Sequence, residues 1–215
     1  MVDKWLFPPS ARYCAVRTDV PTLTNFDGLH PLEQALVAHA VDKRKAEFGD
    51  ARWCAHEVLR ELGRDTGEPI LRGDRGMPLW PASVSGSLTH TEGLRAAVAA
   101  PRLLVRSMGL DAEPAEPLPE GVVNSIAREG EMERIDALRG EHECIDRVLF
   151  CAKEATYKSW FPLTHRWLGF EQAEIDLRPD GTFISYLLIR PTPVPYIEGR
   201  WAIHKGYILA STFVA

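Results

Sequence analysis

A stretch that otherwise reads as a strand ends in two carboxylates one residue apart. In Val105-Arg106-Ser107-Met108-Gly109-Leu110-Asp111-Ala112-Glu113, alternate side chains share a face. Met108, Leu110 and Ala112 are expected to turn to the core, with Ser107, Asp111 and Glu113 standing away from it together. Two carboxylates on one face can ligate one hard cation, and Mg²⁺, or Mn²⁺ in its place, suits an all-oxygen set. Taken alone, the spacing equally describes a solvated acidic strand end.

A later segment supplies a counterpart. Ile145, Val148, Leu149, Ala152, Thr156 and Ser159 recur at helical spacing and form a mostly apolar stripe. Arg147, Cys151, Glu154 and Lys158 run along a second face with the same period, and Lys153 sits one position away. Glu154 and Lys158 could be an ordinary surface pair worth about 0.3–0.5 kcal/mol. The aromatic flank of Phe150, Tyr157, Trp160 and Phe161 argues instead for a buried helix. A third cluster is the loop Arg72-Gly73-Asp74-Arg75-Gly76-Met77-Pro78-Leu79-Trp80-Pro81, followed by Ser87-Leu88-Thr89-His90. Glycines let a backbone approach phosphate closely, and Arg72 and Arg75 bring charge. The plainer alternatives are a surface turn and a structural histidine.

The elements that must position these groups follow from periodicity and breakers. Residues 1–29 read as irregular. Pro31 suits a first helical turn, and the helical pattern runs to Leu62, with a break at Gly49-Asp50 and Gly63 as its terminator. A charged loop fills Arg64 to Val84. Short strands are expected at 86–90, 94–100 and 102–113, before the prolines 114, 117 and 119. Weak helices at 120–140, a strong helix over 143–160, and strands at 183–189, 197–204 and 207–213 complete an α+β chain. Two comparable halves, 1–105 and 106–215, are expected.

With 215 residues, a net charge of −5 and no basic stripe, a general nucleic-acid binder is disfavoured. No apolar run reaches the ~20 residues of a membrane span, and the N-terminus lacks a signal-peptide core, so a cytoplasmic protein with no membrane partner is expected. Cys14, Cys54, Cys144 and Cys151 show no paired spacing and read as small buried hydrophobes. Trp5, Phe7, Phe161 and Trp167 are weighed as core or docking residues, with core preferred.

Four motifs in order carry a resemblance. Gly76-x-Pro78-x-Trp80-Pro81, Ser87-Leu88-Thr89-His90, Gly109-Leu110-Asp111-Ala112-Glu113 and Phe150-Cys151-Ala152-Lys153-Glu154-Ala155-Thr156-Tyr157-Lys158 resemble those of the Sfp-type 4′-phosphopantetheinyl transferases. Trp160-Phe161-Pro162-Leu163 and Trp167-Leu168-Gly169-Phe170 are similar to the actinobacterial branch, which serves polyketide, nonribosomal peptide and fatty-acid synthases. The sequence departs from the family at Phe150, where many members carry Trp, and at Ala112, which is a carboxylate in some.

The resemblance implies a pseudo-dimer of two similar α+β halves with coenzyme A in the cleft between them. It implies transfer of the phosphopantetheine arm to a serine of acyl or peptidyl carrier proteins, by a monomer, with release of 3′,5′-ADP. Asp111, Glu113 and Glu154 would hold Mg²⁺. Lys153 and Lys158 would face the pyrophosphate of coenzyme A, with Asp111 and Glu154 beside it. His90 would meet the 3′-phosphate, while Arg44 and Arg52 grip the nucleotide phosphates. Arg72, Gly73, Asp74, Arg75 and Thr89 would line the adenine side. Glu154, as base, metal ligand or both, and Lys158 are the expected catalytic pair. A metal-dependent nucleic-acid phosphodiesterase and a non-catalytic coenzyme A-binding module are the rival readings.

Overall fold

Each half of the chain solves its burial problem with a 20-residue helix laid over an antiparallel sheet. In a computed structural model the described residues are 3–65 and 67–215. Met1, Val2 and Thr66, within stretches expected to be an irregular N-terminus and a charged loop, lie outside them. The elements are α1 (Asp3–Leu6), β1 (Arg12–Arg17), α2 (Thr24–Asp27), α3 (Pro31–Ala35), α4 (Asp42–Glu61), β2 (Val84–Thr91), β3 (Leu94–Pro101) and β4 (Ser107–Pro114). They continue with α5 (Val122–Ile126), α6 (Glu129–Leu138), α7 (Ile145–Thr164), β5 (Ala173–Leu177), β6 (Thr182–Leu187), β7 (Tyr196–His204) and β8 (Tyr207–Val214). Two compact units result: Pro9–Arg106, and Ser107–Ala215 together with the N-terminal residues through Pro8.

In the first unit, β3 lies between β1 and β2, antiparallel to both. Ala96, Ala97, Val98, Ala99 and Ala100 on β3 are fully buried. Their small side chains let α4 settle closely, through Cys54, Ala55, Val58 and Leu59. The helix ends as its sequence demands: Gly63 takes φ 64°, and Arg64 N–H returns to Leu59 O at 2.8 Å.

The expected break at Gly49-Asp50 is absent. The interruption falls between α3 and α4 instead, and α4 runs straight through Gly49. That glycine answers a close crossing: a β-carbon there would lie 2.5 Å from the backbone nitrogen of Phe26. Asn25 Nδ2 donates to Asp50 Oδ1 at 2.8 Å and holds the crossing in place.

The second unit has strand order β4-β8-β7-β6-β5, antiparallel throughout. Val148, Leu149, Ala152 and Trp160 of α7 join Ile175, Phe183, Ile197, Trp201 and Ile208 in its core. The edge strand β5 is protected by α6, whose Glu131 Oε1 accepts the Ile175 N–H at 2.6 Å. In both units the first strand pairs with the last and the long helix follows the first strand, which supports the expected likeness of the halves. Three strands against five is the difference.

The expected boundary needs one correction. The junction falls at Arg106–Ser107, but residues 3–8 belong to the second unit. Leu6 is fully buried there, its carbonyl accepts Ser211 Oγ, and the Arg200 guanidinium lies 5.1 Å from the Trp5 ring centre. Two unannounced strands also appear, β1 and β5. Helix α7 continues past Trp160 to Thr164, carrying Pro162 in its last turn. Phe7 and Phe161 are core as expected, whereas Trp5 and Trp167 are exposed.

One buried carboxylate ties the first unit together. Glu33, with no exposed surface, accepts the Ile70 N–H at 3.1 Å, pairs with Arg52 at 3.7 Å and bonds His56 Nε2 at 3.1 Å. The bond to Glu33 raises the His56 pKa above its ordinary 6.5, against the opposing effect of burial. A raised imidazole pKa stabilises the fold fully below about 6.5 and is lost as pH climbs through the folded value. The urea midpoint of the wild type should therefore fall across that window, and His56→Gln should flatten the change. Identical pH dependence in the two proteins contradicts the assignment.

Candidate active site

The site in the second unit begins with a missing side chain. A β-carbon on Gly109 would stand 1.9 Å from the carbonyl oxygen of Ala155, so β4 and α7 approach as only glycine permits. Small hydroxyls stitch the same seam. Ser107 Oγ donates to Ser159 O at 2.7 Å, Thr212 Oγ1 donates to Ala155 O at 2.8 Å, and Ser159 Oγ meets Thr212 Oγ1 at 2.6 Å. The face carrying Ser107, Asp111 and Glu113 therefore does not stand away from the core. It faces α7, and Met108, Leu110 and Ala112 on the opposite face are buried as well.

Farther along the seam the hydroxyls give way to charge. Lys158 Nζ donates to Asp111 Oδ1 at 2.8 Å and to Leu110 O at 2.9 Å. The buried Cys151 thiol bonds the Asp111 carboxylate. Arg147 Nη1 lies 3.3 Å from Glu113 Oε2, while its Nη2 donates to Pro117 O at 2.9 Å. Glu154 faces Asp111, Glu113 and Lys158 electrostatically and has no hydrogen-bond partner among the described residues. Lys158 thus bridges helix and strand to Asp111, which the plain alternative of a Glu154–Lys158 surface pair does not provide.

Three carboxylates facing one another are costly. Burial first, then the Asp111 charge, pushes Glu113 and Glu154 above the ordinary carboxylate range, while Lys158, and Arg147 at Glu113, pull the other way. The donor set is all oxygen, in excess of the two cations, and suits a hard divalent ion. Among the described residues no three such side chains already stand in ligating geometry. Asp111 and Glu113 are held by their ion pairs, which must yield for the three to share one ion.

A second constellation lies in the first unit. Arg44 Nη1 donates to His90 Nε2 at 3.0 Å. Arg52 and Arg72 both lie over the Phe48 ring, 4.8 and 5.3 Å from its centre. Burial lowers Arg52 to about 10, with Glu33 opposing and Arg72 adding to the fall. Desolvation and the neighbouring Arg44 lower Arg72 likewise. One guanidinium lowering the pKa of the next, Arg44 at Arg72 and Arg72 at Arg52, marks a place where an anion relieves repulsion. Gly73 precedes an exposed 3₁₀ turn, Asp74–Gly76, in which Arg75 takes φ 50°, and Thr89 is buried next to His90 on β2.

Lys153 requires a correction. The residue is 3% exposed, and its ammonium bonds Glu131 Oε2 at 2.9 Å, Phe170 O at 2.7 Å and Ala173 O at 2.9 Å. All three donors are used, so Lys153 ties α7 to α6 and β5 and is not a phosphate contact. Sequence reasoning missed Phe48 and the role of Gly109. Phe48 was signalled by its spacing, four residues from both Arg44 and Arg52, which places all three on one helical face.

Comparison with known families now bears on both constellations. Residues 32–100 match the model of the 4′-phosphopantetheinyl transferase N-terminal domain, and residues 107–212 match that of the 4′-phosphopantetheinyl transferase superfamily. The chain is a member of the 4′-phosphopantetheinyl transferases. It is 46% identical to the transferase Npt of Nocardia iowensis, over 85% of this chain and 87% of that protein. It is 44% identical to the transferase PptT of Mycobacterium tuberculosis, over 93% and 90%. Identity to the transferase Svp of Streptomyces mobaraensis is 43%, over 87% and 79%. Among the described residues no helix of this transferase is long and apolar enough to cross a membrane.

The seam yields a test. Gly109→Ala should lever β4 from α7 and cost the transferase about 3 kcal/mol, the upper range for overpacking. Activity should fall with it, because Asp111 leaves Lys158. A melting temperature equal to wild type would show that the close approach is not required.

Proposed function

We propose that this transferase moves the 4′-phosphopantetheine arm of coenzyme A onto a serine hydroxyl of acyl or peptidyl carrier proteins, releasing 3′,5′-ADP. One observation carries the reading: Asp111 and Glu113 of β4 meet Cys151, Glu154 and Lys158 of α7 along one seam. The chemistry of that donor set favours Mg²⁺, which Asp111, Glu113 and Glu154 would hold. Bound there, Mg²⁺ would neutralise diphosphate charge as a Lewis acid.

The chain's own residues do the rest. Arg44, Arg52, Arg72 and His90 are suited to the phosphates of the nucleotide, since an anion lowers the strain of their mutual repulsion. Arg52 and Arg72 are also pre-oriented by the Phe48 ring. A serine hydroxyl is a weak nucleophile at neutral pH, so a base must take its proton. Glu154 suits the task, because it has no competing hydrogen bond among the described residues and its raised pKa strengthens it as a base. As the serine Oγ–phosphorus bond forms, the phosphorus–oxygen bond to 3′,5′-ADP breaks, and the Lys158 ammonium stabilises the negative charge that develops. Protonation of Glu154 removes the base, so transfer should weaken as pH falls through its raised value.

The direct test is the intact mass of a carrier domain incubated with the protein, coenzyme A and Mg²⁺. The carrier should gain one phosphopantetheine. Asp111→Asn and Glu154→Gln should each lower turnover by about 10²-fold or more, with unchanged circular dichroism. Mg²⁺ should raise the wild-type melting temperature and leave that of Asp111→Asn unmoved. Turnover retained in either variant overturns the roles of these carboxylates, and copurified coenzyme A without transfer to any carrier favours a binding module.

A further inference from the structure

Two thiols far apart in the sequence meet where β1 crosses α4. Cys14 lies on β1, opposite Ala97, and is half-buried on the edge strand of the first sheet. Cys54 lies on α4 with no exposed surface, packed in the same core cluster as Cys14. The two side chains pack together there, the Cys54 thiol within hydrogen-bonding reach of Cys14 and also donating to Arg95 O at 3.9 Å. The other two cysteines are in the second unit, and Cys151 is fully buried against Asp111. The expectation that all four are buried hydrophobes therefore fails at Cys14.

We propose that Cys14 and Cys54 form a redox-responsive dithiol, which a small-molecule disulfide closes into an intramolecular bond stapling β1 to α4. Thiols in hydrogen-bonding contact need only a short side-chain movement to reach S–S bonding distance. The two sites are also unequal in the way exchange requires. Cys14 is the accessible one, and the Cys54 hydrogen bond lowers its pKa, against burial and the Glu57 and Glu61 carboxylates. Cys54 is raised by the Cys14 bond and by burial. Cys14 is thus the attacking thiolate and Cys54 the resolving thiol.

The exchange balances in two steps. Cys14 thiolate attacks one sulfur of the external disulfide, forming a mixed disulfide and expelling one thiolate. Cys54, buried from solvent, passes its proton to the thiolate expelled in the first step, attacks the Cys14 sulfur and expels the second thiolate. The protein is oxidised by two electrons and the external disulfide is reduced to two thiols. Neither cysteine touches the carboxylate seam, so the inference stands apart from the transfer reaction.

Reduced full-length protein incubated with oxidised glutathione, then measured by intact mass and peptide mapping, tests it. The wild type should lose the mass of two hydrogens and yield a cross-linked pair of peptides containing Cys14 and Cys54, reversibly with dithiothreitol. Cys54→Ser should stop at a glutathione adduct on Cys14, and Cys14→Ser should give neither product. A wild type that keeps glutathione on Cys14 with Cys54 still alkylatable overturns the proposal. So does a wild type in which both thiols stay free.

Discussion

Ala155 presents its carbonyl oxygen to the α-carbon of Gly109 at a separation that no β-carbon can share. Everything distinctive about the second unit follows from that contact. It brings a strand and a helix closer than side-chain packing alone would allow, and Ser107, Ser159 and Thr212 satisfy the polar groups caught between them. Two residues along β4, the same proximity sets Asp111 against Cys151 and Lys158. A looser seam would leave room for water between the carboxylates and the ammonium, screening the very charges that give the site its character.

The two constellations of charge obey one logic with opposite signs. The Asp111 charge adds to burial in raising Glu113 and Glu154 on one unit, while Arg44, Arg52 and Arg72 are drawn together on the other. In each case a few opposite charges keep the cluster tolerable: Lys158 and Arg147 in the first, Glu33 and Glu47 in the second. Neither cluster is neutralised. Residual repulsion of this kind is what a ligand of opposite charge relieves, and it is a poor way to stabilise a fold for its own sake.

Much of this was legible in the sequence, for physical reasons. Periodicity revealed α7, the apolar β3 and the β6–β8 strands, because each has one face in a core. The second stripe of α7 identified Glu154 and Lys158 as neighbours of one another, and four ordered motifs identified the family. What failed was long-range. β1 and β5 are short edge strands whose alternation is set by partners far along the chain. Gly49 reads as a breaker because nothing in the helix itself announces the Phe26 backbone crossing it. Contiguity, which is all that sequence offers, puts residues 3–8 in the first half, whereas their partners are Arg200 and Ser211.

Lys153 and Lys158 make the limit plain. They stand five residues apart on one helix, about 140° around its axis, and carry the same ammonium. Lys153 turns toward α6 and β5, where a buried carboxylate and two carbonyls consume its three donors, and desolvation lowers its pKa despite Glu131. Lys158 turns toward β4, where it is partly exposed and shares its charge among Asp111, Glu113 and Glu154. Helical spacing separates the two faces but cannot say which of them meets a closed core and which an open site. That depends on Gly109, which lies in another element, and on a contact made by the absence of an atom.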